Sequence, residues 1–288
     1  MLKIIEKTKI WFGISAIIIL IGIFSMATQG LELGIDFKGG TVTQIEMKQD
    51  FNKTDVDDII KKYSSDFQSN KVNNTSIEIK SANLTTDNIT SIVKDIKAKY
   101  KDSSLTSQED IGASIGTETR NKAVQAVIIA CLAILIYVGV RFEFKFATAA
   151  IISLIHDVLI MVTVYSVFQI PLDSSFIAAV LTVIGYSIND TIVVFDRIRE
   201  NQKYIRGTDV TVLANASITQ TMARSINTVL TVLITLTAVY IYVPSIRNFS
   251  QPLLVGIASG CYSSIFIASP VWVILKNRGK KVKIKSKI

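Results

Sequence analysis

Gly185-Tyr186-Ser187-Ile188-Asn189-Asp190-Thr191-Ile192-Val193-Val194-Phe195-Asp196-Arg197-Ile198-Arg199-Glu200 sets a carboxylate inside an apolar run and then ends in a burst of charge. From Ser174 to Asn189 the chain carries no charged residue, so Asp190 lies in a segment otherwise suited to hydrocarbon. A charge at such depth costs several kcal/mol unless it is paired, hydrated or protonated, which makes an intramembrane acid a functional-site hypothesis.

The same hydropathy recurs along the chain. Runs near 10–28, 122–140, 146–168, 174–195, 225–243 and 252–275 are each long enough to cross a hydrocarbon core of about 30 Å. They predict a polytopic α-helical membrane protein with six transmembrane helices. Residues 1–29 form the N-terminus and first helix, 30–120 a small α/β domain, 121–275 helices two to six, and 276–288 a basic tail. The first run is too long for a signal-peptide core and no small-x-small cleavage site follows it, so it reads as an uncleaved anchor.

Charge predicts the orientation, because Lys and Arg gather in short cytoplasmic loops. Lys3, Lys7, Lys9, Arg141, Lys145, Arg197, Arg199, Lys203, Arg206 and the basic residues from Lys276 to Lys287 all fall on one side. The connections at 169–173 and 244–248 carry few charges and fall on the other. Both termini are therefore expected in the cytoplasm and residues 30–120 outside it. The net charge of +8 comes from the membrane-flanking ends, since residues 30–120 hold 12 basic and 15 acidic side chains. That distribution suits anionic lipid headgroups rather than nucleic acid.

In the outer domain, Thr54 is expected to cap a helix with Val56, Ile59, Ile60, Tyr63 and Phe67 on one face, and Thr85 or Thr86 a second with Ile89, Ile92, Val93, Ile96 and Tyr100. Strands near 41–48, 75–80 and 105–115 complete a β-α-β-α-β order. The domain has no His and no Cys, so it reads as a binding or gating element. No Gly-x-x-x-x-Gly-Lys-Ser/Thr loop occurs anywhere, which argues against an ATP-driven pump. Cys131 and Cys261 read as buried apolar residues with no metal-ligand spacing. No cofactor, metal or enzymatic activity is expected, the proton alone serving as coupling ion.

The third helix carries His156-Asp157, expected near the bilayer midplane either as a structural polar pair or as a proton relay. In the fourth, Gly185 and Ser187 would permit close helix approach, with Asn189 a hydrogen-bonding neighbour of Asp190. Arg224, expected at the start of the fifth helix with Asn227 one turn further in, is the candidate counter-charge. Gly256, Gly260, Ser264 and Ala268 in the sixth form a small-residue stripe for tight packing, as do Ala123, Ala126 and Ala130 in the second.

The turn Gly34-Ile35-Asp36-Phe37-Lys38-Gly39-Gly40, the His156-Asp157-Val158 step and the stretch from Gly185 through Glu200 to Asn201 together resemble the SecF branch of the SecD/SecF family of the bacterial Sec translocase. The resemblance covers the whole chain. It implies half of a pseudo-symmetric bundle related to resistance-nodulation-division transporters, with SecD supplying the other half. It further implies use of the proton motive force to complete preprotein export across the cytoplasmic (inner) membrane, alongside the SecYEG translocon, YajC and the YidC insertase. The family's proton-pathway residues fall on Asp190 and Arg224. Gly112-Ala113-Ser114-Ile115-Gly116 lacks the proline expected after its first glycine. Two other readings remain open: an exporter of small molecules or lipids, and a passive scaffold for SecD or the insertase.

Overall fold

The computed structural model describes residues 2–204 and 209–285, with side chains described to Arg278. Six helices are long and apolar enough to cross a membrane: Ile5–Thr28, Ala113–Arg141, Phe144–Phe168, Ser174–Tyr204, Val210–Tyr242 and Pro244–Arg278. Within them we number α1 (Thr8–Thr28), α5 (Ala113–Arg141), α6 (Phe144–Phe168), α7 (Ser174–Tyr204), α8 (Val210–Tyr242), α9 (Arg247–Ser263) and α10 (Ser269–Lys285). A π-helical turn at Ser264–Ala268 joins the last two.

The helices run past their apolar stretches, because nothing in the flanking polar residues breaks them. α5 starts at Ala113 rather than near 122, and α8 at Val210 rather than near 225. Arg224 consequently lies about four turns inside α8, not at its start. The polar ends of α7 and α8 hold each other: Asn201 Nδ2 donates to Ser217 Oγ and to Gln220 Oε1, both at 2.9 Å, and Arg197 Nε donates to Gln220 Oε1 at 2.6 Å. Arg206 lies outside the described residues, as do the side chains of the basic tail beyond Arg278.

α6, α7 and α9 form the centre of the bundle, while α1, α5 and α8 expose mostly apolar side chains, as lipid-facing helices do. The small-residue stripe explains how the central helices approach. A methyl group on Gly256 would lie 2.5 Å from Val183 Cγ2, and one on Gly260 would lie 2.9 Å from Ser187 Cβ. Gly185 plays no such part, since among the described residues nothing lies within 4 Å of where its Cβ would be. Cys131 and Cys261 are half-buried rather than buried.

The domain between α1 and α5 is β1 (Gly40–Glu46), α3 (Lys53–Ile60), β2 (Gln68–Val72), β3 (Ser76–Ser81), α4 (Thr86–Lys99) and β4 (Ser104–Ile111). Its antiparallel sheet has the order β2-β3-β1-β4. This is β-α-β-β-α-β, the ferredoxin-like arrangement, and corrects the expected order by one strand. The added strand β2 pairs with β3 through a turn at Asn73 and Asn74, both with positive φ, a conformation asparagine tolerates better than most residues. Phe67 accordingly leaves the first helix, which ends at Ile60, and Asn52 rather than Thr54 caps it, its side chain accepting from the Thr54 N–H at 3.1 Å. Thr85 caps α4 as expected. Both helices cover one face of the sheet, burying Ile45, Ile77 and Ile79 against Val56, Ile60, Ile92 and Ile96.

The turn Gly34 to Gly40 joins this domain to the bundle. Ile35–Lys38 form a single helical turn, α2, followed by Gly39 at φ +84° and Gly40 at φ +146°, values that side chains rarely adopt. Backbone packs on backbone around it. A methyl on Gly39 would lie 2.9 Å from Ala113 N, one on Gly40 2.6 Å from the Ser81 carbonyl, and one on Gly116 2.8 Å from the Phe37 carbonyl. The Gly34 N–H donates to the Leu172 carbonyl at 2.7 Å, and Asp36 Oδ2 accepts from the Ser174 N–H at 2.8 Å. Phe37 is buried in the bundle core.

Candidate functional site in the helical bundle

Two carboxylates lie inside the bundle, and their surroundings differ. Asp157, on the buried face of α6, is fully inaccessible. Its Oδ1 accepts from Ser259 Oγ at 2.7 Å and faces His156 Nδ1 at 3.0 Å; its Oδ2 accepts from Ser187 Oγ at 2.6 Å and Ser263 Oγ at 2.7 Å. The imidazole Nδ1 thus faces the carboxylate, and Nε2 meets Ser15 Oγ at 3.0 Å. The Ser15 hydroxyl reaches Tyr262 Oη, which donates to the Trp11 carbonyl at 2.8 Å. One carboxylate thus gathers α6, α7, α9 and, through His156, α1. Ser187 apart, these serines carry no signal in sequence beyond their placement on helices.

Asp190, on α7, is held at one oxygen only. Its Oδ1 accepts from Ser225 Oγ of α8 at 2.5 Å, while Oδ2 is buried without a partner among the described residues. An unsatisfied buried oxygen is costly and uncommon. Arg224 does not form the expected ion pair: among the described residues no salt bridge joins it to Asp190, and it is exposed. One helical residue turns the direction of a side chain by about 100°, so Ser225 points at Asp190 while Arg224 points into a cavity of 580 Å³ between α7 and α8. Asn189, Asp196, Arg197, Glu200 and Gln220 line the same cavity. Arg197 Nη1 is engaged by Glu200 at 2.9 Å; Asn189 is exposed and makes no hydrogen bond through its side chain among the described residues.

A hydrogen-bonded seam between α7 and the π-helical turn lies between Asp157 and Asp190. Ser264, first residue of the π-helical turn, bonds Thr191 Oγ1 at 2.8 Å and donates toward the Ser187 carbonyl at 3.3 Å. Thr191 follows Asp190 in α7, and Ser187 holds Asp157. Because the link passes through a carbonyl rather than a hydroxyl, the two acids share a scaffold but no continuous chain of hydroxyls. π-turns of this kind recur at functional sites.

Six spans, a central helix bearing a half-buried acid and a sheet domain inserted after the first span define a multi-pass membrane protein built around an intramembrane carboxylate. Comparison with known proteins places it further. The C-terminal region of the SecD/SecF protein export membrane proteins matches residues 91–278, and the SecD/SecF GG motif matches residues 24–50. The chain belongs to the SecD/SecF family, and is a multi-pass protein of the bacterial inner membrane. Protein translocase subunit SecF of Sebaldella termitidis is 38% identical over 97% of this chain and 93% of its own length. Protein translocase subunit SecDF of Bacillus subtilis is 37% identical over 96% of this chain but 38% of its own length. The crystal structure of SecDF, a translocon-associated membrane protein from Thermus thermophilus, superposes with a TM-score of 0.81 at 31% identity, over 96% of this chain and 39% of that one.

Proposed function

We propose that this chain is the SecF-type subunit of a protein translocase, and that with a SecD partner it uses the proton motive force to help complete preprotein export. The protein-export role follows the family. The SecD partner follows from relatives in which one longer chain, SecDF, contains a region like this one. Asp190 is the residue that takes and releases the proton. The observation that carries this reading is its buried, unpartnered Oδ2: the carboxyl has room for a proton on one oxygen while Ser225 holds the other, and its sequence neighbour Asn189 lines the polar cavity between α7 and α8.

Arg224 faces the cavity through which the proton would pass, setting its potential without locking the acid. His156 and Asp157 position the central helices rather than carry the proton, since every Asp157 oxygen is already taken by two donors. One elementary charge crossing 100 mV supplies about 2.3 kcal/mol, enough to bias a conformational equilibrium tens-fold. The sheet domain lies on the outer side and both termini are cytoplasmic, in keeping with the lysine and arginine bias. The chain is not an enzyme and needs no cofactor beyond the proton; SecYEG, YajC, YidC and the preprotein are its partners in the assembly.

The test is Asp190→Asn, co-reconstituted with SecD and the translocon in proteoliposomes. Gradient-stimulated preprotein release should fall to the level without a gradient. Release unchanged at equal protein content would overturn the proposal.

A further inference from the structure

At the end of the bundle where α5 stops and α6 begins, two guanidinium groups gather on one aromatic ring. Arg141, the last residue of α5, has its guanidinium carbon 5.5 Å from the centre of the Phe142 ring, and Arg199 of α7 has its own at 5.4 Å from the same centre. Arg199 Nη1 also donates to the Arg141 carbonyl at 3.0 Å, fixing α7 to the open end of α5. Phe142 itself is buried. Like charges repel, so such a cluster ordinarily contains an acid. Here the nearest acid in sequence, Glu143, is taken by Lys276 at 2.7 Å, and among the described residues neither arginine has a carboxylate partner. Lys145 and Lys203 add two further cations at the same end, likewise without a carboxylate partner among the described residues.

Immediately beside these cations the surface is apolar. Val140 is 85% exposed and Phe144 76% exposed, with Ile136 and Tyr137 a turn below on α5. Charge above and bare hydrocarbon below is the surface an amphiphile with an anionic head would cover. Soluble anions use the first half of that surface only.

We propose that Arg141 and Arg199 form a headgroup site for an anionic phospholipid, whose acyl chains lie along the exposed face of α5. Guanidinium groups match a phosphodiester in a way that ammonium groups do not, because each offers a planar fork of donors. Both guanidinium carbons lie within 5.5 Å of the Phe142 ring centre and Arg199 is tied to the Arg141 carbonyl, so the site depends on geometry and not on charge alone. Occupation would neutralise the cluster and tie the lipid to α5 and α7 together. The inference is independent of any proton role for Asp190.

The full chain, purified in mild detergent and stripped of lipid, is offered phosphatidylglycerol and phosphatidylcholine in equal amounts and examined by native mass spectrometry. The phosphatidylglycerol adduct should dominate. Arg141→Lys/Arg199→Lys, which keeps the charge, should lower that preference by about threefold or more, whereas Lys7→Gln/Lys9→Gln, which removes two cations elsewhere at the same end, should leave it. Three results overturn the proposal: no preference in the unaltered chain, equal loss in both variants, or a preference that survives the lysine pair. Displacement of the lipid by millimolar inorganic phosphate or by RNA overturns it too, by showing a site for a soluble anion.

Discussion

Replacing Asp157 by Ala should destabilise the bundle far more than replacing Asp190 by Ala, although both remove one carboxylate from its interior. With Asp157 gone, Ser187, Ser259 and His156 Nδ1 lose the acceptor they share, while Ser263 retains the Gly260 carbonyl at 3.2 Å. At about 0.6 kcal/mol for an average interhelical hydrogen bond in a membrane protein, the three that Asp157 accepts from Ser187, Ser259 and Ser263 give about 2 kcal/mol, the His156 contact lying within α6. Stranding buried donors costs about 1–3 kcal/mol each, which raises the expectation above that floor. Asp190 gives up a single bond to Ser225, about 0.6 kcal/mol, and its other oxygen has nothing to lose. Equilibrium unfolding of the reconstituted chain, followed by steric trapping, separates the two. A cost for Asp157→Ala below about 1 kcal/mol, or equal costs for both variants, would refute the assignment of one acid to packing and the other to function.

Two further outcomes concern the sheet domain and its attachment. Gly39→Ala forces a side chain into φ +84°, ψ 163°, a region essentially reserved for glycine, and sets its Cβ 2.9 Å from Ala113 N; the backbone conformation alone costs about 1–3 kcal/mol, and limited proteolysis should cut the segment between α1 and β1 faster than in the unaltered chain. Asp50 is held below its ordinary carboxylate value of 3.8, first by the hydrogen bond from Lys71 and then by its charge. Since the folded value is the lower one, the tie is complete above 3.8 and is lost as the pH falls through the depressed value. Carboxyl carbon NMR should show an Asp50 midpoint below 3.8 that returns toward it in Lys71→Met. Raised salt should have the same effect, because the pair is exposed.

The spans were legible because lipid leaves its mark on every residue that faces it: the membrane stretches of α1 and α5 are apolar nearly all round, so a running average finds them. Asp190 stood out for the converse reason. What escaped were features made by packing between distant segments. Gln68-Ser69-Asn70-Lys71-Val72 has no apolar alternation, being an edge strand with neither face fully covered, and only Asn73-Asn74 after it hinted at a hairpin. The serine cluster around Asp157 draws on residues 30 to 106 positions away, and a serine on a helix does not announce whether it faces lipid, backbone or a carboxylate. Arg224 was placed beside Asp190 by depth, which sequence supplies, but not by rotation about the helix axis, which it does not. Gly185 failed for the same reason: it is small, yet it faces away from every neighbour.

The knot of glycines at residues 34–40 has a mechanical consequence. Three chain segments that lead into the bundle, the one following α1, the start of α5 and the loop between α6 and α7, meet there in close main-chain packing, with the Asp36 carboxylate adding a tie to the Ser174 N–H. The sheet domain is therefore geared to the bundle and does not hang from it. A tilt of the domain would therefore pull on the α6–α7 loop through the Gly34 and Asp36 hydrogen bonds before anything else in the bundle.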